Sequence, residues 1–314
     1  MNERDPLSRP DWFANPLNFG ELEPEFTAFD TSAIVVLPVP YDATVEYKSG
    51  ARYGPQAILA ASRYLELYDP EIEAEVYKQG IHTPPEMVPT AEGCLAMAKR
   101  VEAVARHVLA KGKTLAMLGG EHSVTLGAAL AHLERFPKLT VLQIDGHTDL
   151  RDTHNSSKYT HATVMRRLSE RCPIVQAGVR SISKEEKDFI RARGIPCFPY
   201  LSADGLSPQR IEEIVAALGP EVYITIDLDA FDPSFMAAVG TPAPGGVQWH
   251  EALALLRRVA AQRRIVGFDV MELCPPEGPS ACAMTAAALA YKLMGYTMLS
   301  QGRLRSERGR RRKT

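Results

Sequence analysis

Apolar positions along the chain follow two rhythms that alternate. The runs AIVVLPV (33–39), TLAMLG (114–119), LTVLQID (139–145), PIVQAGV (173–179), EVYITID (221–227) and RIVGFDV (264–270) are near-continuously apolar. Short runs of this kind predict strands of a parallel sheet covered on both faces. Between them the apolar residues recur every three to four positions, as in Met97, Val101, Val104 and Val108, and again in Trp249, Leu253, Leu256 and Ala260. Those stripes predict amphipathic helices. Strands separated by helices form a βαβ series, with right-handed crossovers and one doubly wound, mostly parallel sheet. No Pro/Gly/Ser-rich linker divides the series, so the expected organisation is an N-terminal arm over residues 1–28, one domain over 29–302 and a basic, mobile tail over 303–314.

Residues 281–299 (ACAMTAAALAYKLMGYTML) raise the question of a membrane span. Their alanine content and the interruptions at Lys292 and Gly295 predict a buried terminal helix instead.

Composition narrows the class without naming a function. A chain of 314 residues with 45% hydrophobic and 24% charged side chains is ordinary globular material. The tail holds seven of the 36 Lys/Arg and one of the 38 Asp/Glu, so the body is acidic, near −8, although the formal net charge is −2. Five cysteines are scattered singly with no CxxC, which argues against a disulfide framework or a zinc ribbon. The first twenty residues lack the apolar stretch of a secretory signal. The expectation is a reduced, cytoplasmic protein with no membrane partner. Arg310, Arg311, Arg312 and Lys313 form a short basic run on an acidic body, without aromatic interleaving. Such a run predicts a solvated tail and no nucleic-acid partner.

The chemistry collects at strand ends, where open parallel sheets bind ligands. Glu121, His122 and Ser123 follow the second run; Asp145, His147 and Asp149 follow the third; Asp227 and Asp229 close the fifth; Asp269 and Glu272 close the sixth. On a straight strand the outer members of Asp-x-His-x-Asp would stand ~13 Å apart, too far for one metal centre. The chain must therefore curl after Asp145, which Gly146 eases. Asp227 and Asp229 can share a face with no bend. Taken alone, His122 or His147 reads as a satisfied core or surface histidine, and each Asp as a helix cap. Taken together, two imidazoles and four carboxylates match two hard divalent cations such as Mn²⁺, a set suited to metal-assisted hydrolysis.

The motifs LGGEHSVT (118–125), IDGHTDLRD (144–152), YTHATVMRR (159–167), ITIDLDAFDPS (224–234), VGTPAPGG (239–246) and GFDVMELCPP (267–276) resemble, in order, those of the ureohydrolase (arginase/agmatinase) family. The resemblance implies a three-layer α/β/α fold with a dimanganese site. His122, Asp145, Asp149 and Asp227 would hold one ion and Asp145, His147, Asp227 and Asp229 the other. It implies further that His161 is the proton shuttle and a substrate contact, that Glu272 pairs with the substrate guanidinium, and that Asp149 helps stabilise the tetrahedral intermediate. Cys274 is expected to be packing. Gly146, Glu121 and Ala243 depart from the family's usual alanine, aspartate and glutamate, and none of the three removes a ligand.

The loop Leu150–Thr160, with Arg151 where arginases typically carry asparagine, looks like the agmatinase branch. The implied reaction is agmatine plus water giving putrescine plus urea, a step of polyamine biosynthesis. Hydrolysis of N1-aminopropylagmatine to spermidine is the near alternative. Arginine, guanidinobutyrate and formiminoglutamate rank below it. A silent regulatory member of the family is the non-enzymatic alternative. The family resemblance also implies a homo-oligomer, a trimer or hexamer, acting on a small cationic guanidine.

Overall fold

The computed structural model describes residues 17–202 and 205–304. Residues 1–16 of the expected arm and 305–314 of the expected tail lie outside the described residues. The strands are β1 (Ile34–Val39), β2 (Tyr68–Asp69), β3 (Ala74–Glu75), β4 (Ile81–His82), β5 (Thr114–Gly119), β6 (Leu139–Ile144), β7 (Ile174–Ala177), β8 (Cys197–Phe198), β9 (Glu221–Asp227) and β10 (Arg264–Met271). The helices are α1 (Pro24–Thr27), α2 (Gly54–Ser62), α3 (Cys94–Ala110), α4 (Thr125–Arg135), α5 (Val164–Ser169), α6 (Lys184–Arg193), α7 (Pro208–Ala217), α8 (Trp249–Gln262) and α9 (Ala281–Ser300).

Eight strands form one sheet in the order β4-β1-β5-β10-β9-β6-β7-β8, and every pairing in it is parallel. The six apolar runs are its six long strands. The two edge strands, β4 and β8, are two residues each, too short to leave a periodic signal in the sequence. Alternate strand residues feed opposite faces, as the pleat requires. Val36, Ala116, Leu142 and Ile224 join one apolar cluster with α2, α7, α8 and α9. Val35, Leu115, Val141 and Tyr223 join the other with α3, α4, α5 and α6. The result is an α/β/α sandwich of three layers.

The predicted terminal helix is α9, buried along most of its 20 residues. Lys292, the interruption in its apolar run, reaches Asp69 at 2.8 Å and Glu71 at 2.9 Å. Among the described residues no helix is long and apolar enough to cross a membrane. The arm differs from expectation where it is described. Phe19 is fully buried and stacks on Tyr291 at 6.3 Å, and Leu22 is buried beside it. The ring carries a large apolar area into the core, and the backbone beside it stays satisfied, since the Phe19 and Gly20 N–H groups donate to Thr83 Oγ1 at 3.1 Å and Ser62 Oγ at 2.9 Å.

From β5 the chain skips two places to β6, and β9 and β10 later fill the gap. The carboxyl ends of β5, β10, β9 and β6 therefore lie side by side at the centre of the sheet, where the topology switches.

Candidate metal centre and active site

At the end of β6 the chain leaves the sheet and curls through residues 145–149. Gly146 serves this curl by its size rather than by a left-handed backbone. A Cβ there would meet the Asp229 carbonyl, Asp229 Oδ1 and Arg180 Nη1, each at 3.0 Å. The left-handed residue is Asp149, with φ of 52°. A non-glycine residue held there costs of order 1–3 kcal/mol and persists only where its surroundings impose it. The turn is knit by hydrogen bonds to its own carboxylate. The His147 N–H donates to Asp145 Oδ1 at 2.5 Å and Gln143 Nε2 donates to Asp145 Oδ2 at 2.6 Å.

Asp227 is the last residue of β9, and a 3-10 turn, Leu228–Ala230, follows it directly. Asp227 and Asp229 are thus brought together by a turn instead of a straight strand. Asp227 Oδ1 accepts from the Asp229 N–H at 2.8 Å, and Asp229 Oδ1 accepts from the Gly146 N–H at 3.1 Å. The second bond ties the two acidic turns together. At the end of β5 the 3-10 turn His122–Val124 presents its first residue to the same rim.

The six expected ligand residues meet. His122 Nδ1 lies 3.2 Å from Asp145 Oδ2, 3.2 Å from Asp149 Oδ2 and 3.3 Å from Asp227 Oδ2. His147 Nδ1 lies 2.8 Å from Asp229 Oδ2 and 3.8 Å from Asp145 Oδ1. Asp145 belongs to both groups. His122 Nδ1 is buried and makes no hydrogen bond among the described residues. Ligand atoms held ~2.1–2.2 Å from a common hard cation stand about 3 Å apart when adjacent. The spacing around His122 Nδ1 has this size, so the donor set fits a divalent ion.

Electrostatics point the same way. Burial, then the neighbouring carboxylates, push Asp145 well above the ordinary carboxylate range, and burial with Asp229 beside it raises Asp227 to about 7. Burial also pushes Asp229 up, but the His147 charge beside it overcomes that and holds it low. Against the cost of burial, Asp145, Asp149 and Asp227 hold His122 well above its usual value. Buried carboxylates that repel one another this strongly form a site for added positive charge.

His161 and Glu272 line the same cavity as His122, His147, Asp149, Asp227 and Asp229, a space of about 300 Å³. His161 opens the 3-10 turn His161–Thr163, whose start is fixed by Thr160 and Thr163 in a reciprocal cap. Burial lowers its pKa, opposed by Asp149 and Glu121. Glu272 follows β10 with φ of 65°, and its Oε1 accepts from the His122 N–H at 2.6 Å. Burial, with Asp227 and Glu121 near, raises Glu272 well above the usual range. The sulfur of Cys274 is buried behind the site, 3.4 Å from the Ser49 carbonyl, as packing requires.

Beneath the rim stand Thr225, Thr125 and Tyr223, which sequence alone did not single out, together with Asp269. Thr225 Oγ1 is 2.7 Å from His122 Nε2, and Thr125 lies 3.4 Å from Thr225. Thr125 and Tyr223 both donate to Asp269 Oδ2, at 2.9 and 2.8 Å. Asp269 had a weak signal as an acid inside an apolar strand; Thr225 had none, since threonine is common in strands.

Comparison with known proteins places this geometry among relatives. A family model described as the Arginase family matches residues 32–295. The chain is 40% identical to the N(1)-aminopropylagmatine ureohydrolase of Thermus thermophilus, covering 93% of this chain and 98% of the relative. It is 31% identical to the agmatinase of Pyrococcus horikoshii, over 84% and 91%. The crystal structure of agmatine ureohydrolase of Thermoplasma volcanium superposes with a TM-score of 0.79 at 29% identity, over 88% of this chain and 93% of that one.

Proposed function

Because the chain belongs to the arginase family, we propose that it is a dimanganese guanidino hydrolase that converts agmatine and water to putrescine and urea. The observation that carries this reading is the bare His122 Nδ1 with three carboxylate oxygens 3.2–3.3 Å away, at a cavity that also holds His161 and Glu272. His122, Asp145, Asp149 and Asp227 would hold one Mn²⁺ and Asp145, His147, Asp227 and Asp229 the other. When bound, the ions supply the Lewis acidity that makes water a nucleophile near neutral pH.

The chain's own groups do the rest. Glu272 faces the planar guanidinium with a carboxylate, which can take two N–H groups at once and orient the central carbon. Arrival of that cation favours the ionised form of Glu272 against the burial that otherwise raises it. His161 passes a proton from its ring to the departing amine nitrogen, so that agmatine and water become an ammonium and neutral urea with charge conserved. Asp149 stabilises the tetrahedral carbon's added groups as a hydrogen-bond acceptor. The same reading places the protein in the cytoplasm, as a homo-oligomer serving polyamine biosynthesis.

A second reading, hydrolysis of N1-aminopropylagmatine to spermidine and urea, is favoured by the higher identity to the Thermus relative than to the Pyrococcus one. Metal analysis combined with urea release from agmatine, N1-aminopropylagmatine, arginine and guanidinobutyrate tests both. Two Mn²⁺ per subunit and the highest kcat/KM with agmatine are expected. A higher value with the aminopropyl compound selects the second reading, and loaded metal with no urea from any of the four leaves a silent family member.

A further inference from the structure

The stretch between β1 and the 3-10 turn at Ala51–Tyr53 is pressed against the end of β5. The Glu121 N–H donates to the Tyr41 carbonyl at 2.7 Å, and a Cβ on Gly120 would stand 2.0 Å from that oxygen. Only glycine lets the two backbones come this close. The Glu121 side chain, fully buried, then seizes the same stretch. Its Oε2 accepts from the Ala43 and Thr44 N–H groups, each at 2.6 Å. Its Oε1 accepts from Thr44 Oγ1 at 2.9 Å, Ser123 Oγ at 2.5 Å and Cys94 Sγ at 3.3 Å.

Thr44 Oγ1 also meets His161, at two atoms. It lies 3.2 Å from His161 Nδ1 and 3.3 Å from the His161 backbone nitrogen. A hydroxyl has one proton and two lone pairs. The proton goes to Glu121 Oε1, since a carboxylate only accepts. One lone pair takes the His161 N–H. The remaining lone pair faces Nδ1, and this contact is attractive only if Nδ1 carries hydrogen. The Cys94 thiol, 3.9 Å from Thr44 Oγ1, is closer to Glu121 and has its proton there. A neutral imidazole has one N–H, so Nε2 is left with its lone pair, on a ring that lines the cavity. On the other side His154 stands edge-on to His161, with ring centroids 5.3 Å apart, and Glu46 caps His154 Nε2.

We propose that Thr44 is a positioning residue: gripped by Glu121, its hydroxyl fixes His161 as the Nδ1–H tautomer and keeps the Nε2 lone pair turned to the cavity, ready to take up and release a proton there. The proposal rests on the hydrolase reading for its importance to turnover, though the tautomer can be read without turnover. It also gives Glu121 a task. The acid next to His122 secures the shuttle's orientation and does not enter the metal set.

The test uses the full chain loaded with Mn²⁺, acting on agmatine and on N1-aminopropylagmatine. Thr44→Val removes the hydroxyl at nearly constant shape, and Thr44→Ser keeps it. Thr44→Val should lower kcat by about 10²-fold, the scale of a misplaced catalytic group, with bound metal and KM close to wild type. Thr44→Ser should recover most of the loss. In a His161→Asn background, Thr44→Val should cost nothing further. Loss of metal, failure of the serine to rescue, or an equal loss in the His161→Asn background would make Thr44 a structural residue and overturn the proposal. So would wild-type kcat in Thr44→Val. Nitrogen-15 spectra of histidine-labelled protein loaded with diamagnetic Mg²⁺ supply the independent reading. Protonated Nδ1 and bare Nε2 on His161 are expected, and an Nε2–H tautomer sinks the proposal whatever the activity. If the tautomer is as expected and no guanidine is hydrolysed, the functional reading fails and the positioning geometry stands.

Discussion

His122 and His132 stand ten residues apart, one at the 3-10 turn that leads into α4 and the other in the last turn of α4, and both are buried. His122 faces three carboxylate oxygens and is pushed towards the charged state. His132 packs against the Tyr223 ring at 4.6 Å and against Gly267, where a Cβ would come within 2.2 Å of its Nε2. Its Nδ1 donates to the Ala128 carbonyl at 2.7 Å, and burial lowers its pKa to about 4. Burial is the same for both, so burial does not make a site. The neighbours do: three carboxylates overcome the cost of burial at His122, while at His132 the Ala128 carbonyl opposes that cost too weakly and burial keeps the ring neutral.

The comparison can be broken at three points. The largest effect is expected for Asp145→Asn, which removes the carboxylate common to both ligand groups. Metal uptake and hydrolysis should both fall by more than the ~100-fold that loss of an outer partner costs, as read by metal analysis and urea release. A variant that still binds two ions would show that the acidic rim does not act as one centre. Next comes Thr225→Val, which takes the partner from His122 Nε2 and leaves every ligand in place. Metal affinity should drop about 10- to 100-fold, measured by competition with a chelator, and unchanged affinity would separate Thr225 from the metal.

The smallest effect belongs to His132, and it concerns stability. In the unfolded chain a histidine takes its proton near pH 6.5, whereas His132 stays neutral in the fold down to about pH 4. Between these values the unfolded state holds more protons, so stability falls as the pH falls. The loss amounts to about 3 kcal/mol by pH 4. Denaturant titrations of wild type and His132→Leu at pH 7 and pH 4 should show the wild type losing that much more than the variant. Parallel losses would mean that His132 is protonated in the fold.

Much of the fold was legible because a parallel sheet buried on both faces writes its strands as apolar runs. Six of the eight strands were readable on that ground, and the buried terminal helix was readable from Lys292 and Gly295 in an otherwise apolar stretch. The edge strands were not, at two residues each. Phe19 shows the limit for the arm: an isolated aromatic among polar residues has no periodicity, yet Tyr291, far along the chain, gives it a place in the core. In the site, residues with distinctive chemistry stood out in sequence, namely His122, Asp145, His147, Asp149, Asp227, Asp229, His161 and Glu272. Those that support them are threonines, a glutamine and a tyrosine, types that fill strands and loops everywhere. Thr44 and Thr225 gain meaning only from the atom 3.2 or 2.7 Å away.

The sequence by itself determined the strand-and-helix alternation, the side chains at each strand's carboxyl end and the family, since all of these follow from local pattern and residue identity. Tertiary structure decided the strand order, which inserts β9 and β10 between β5 and β6 and so brings four strand ends to one rim. It also decided that the Asp145 turn closes at a left-handed Asp149, with Gly146 small because Asp229 lies against it. The physical reason is one of range. Propensity and periodicity act over a few residues, whereas the distances that make a metal site or fix a tautomer are set between segments far apart in the chain, 83 residues for Gly146 and Asp229 and 117 for Thr44 and His161, where close packing and hydrogen-bond accounting leave one arrangement.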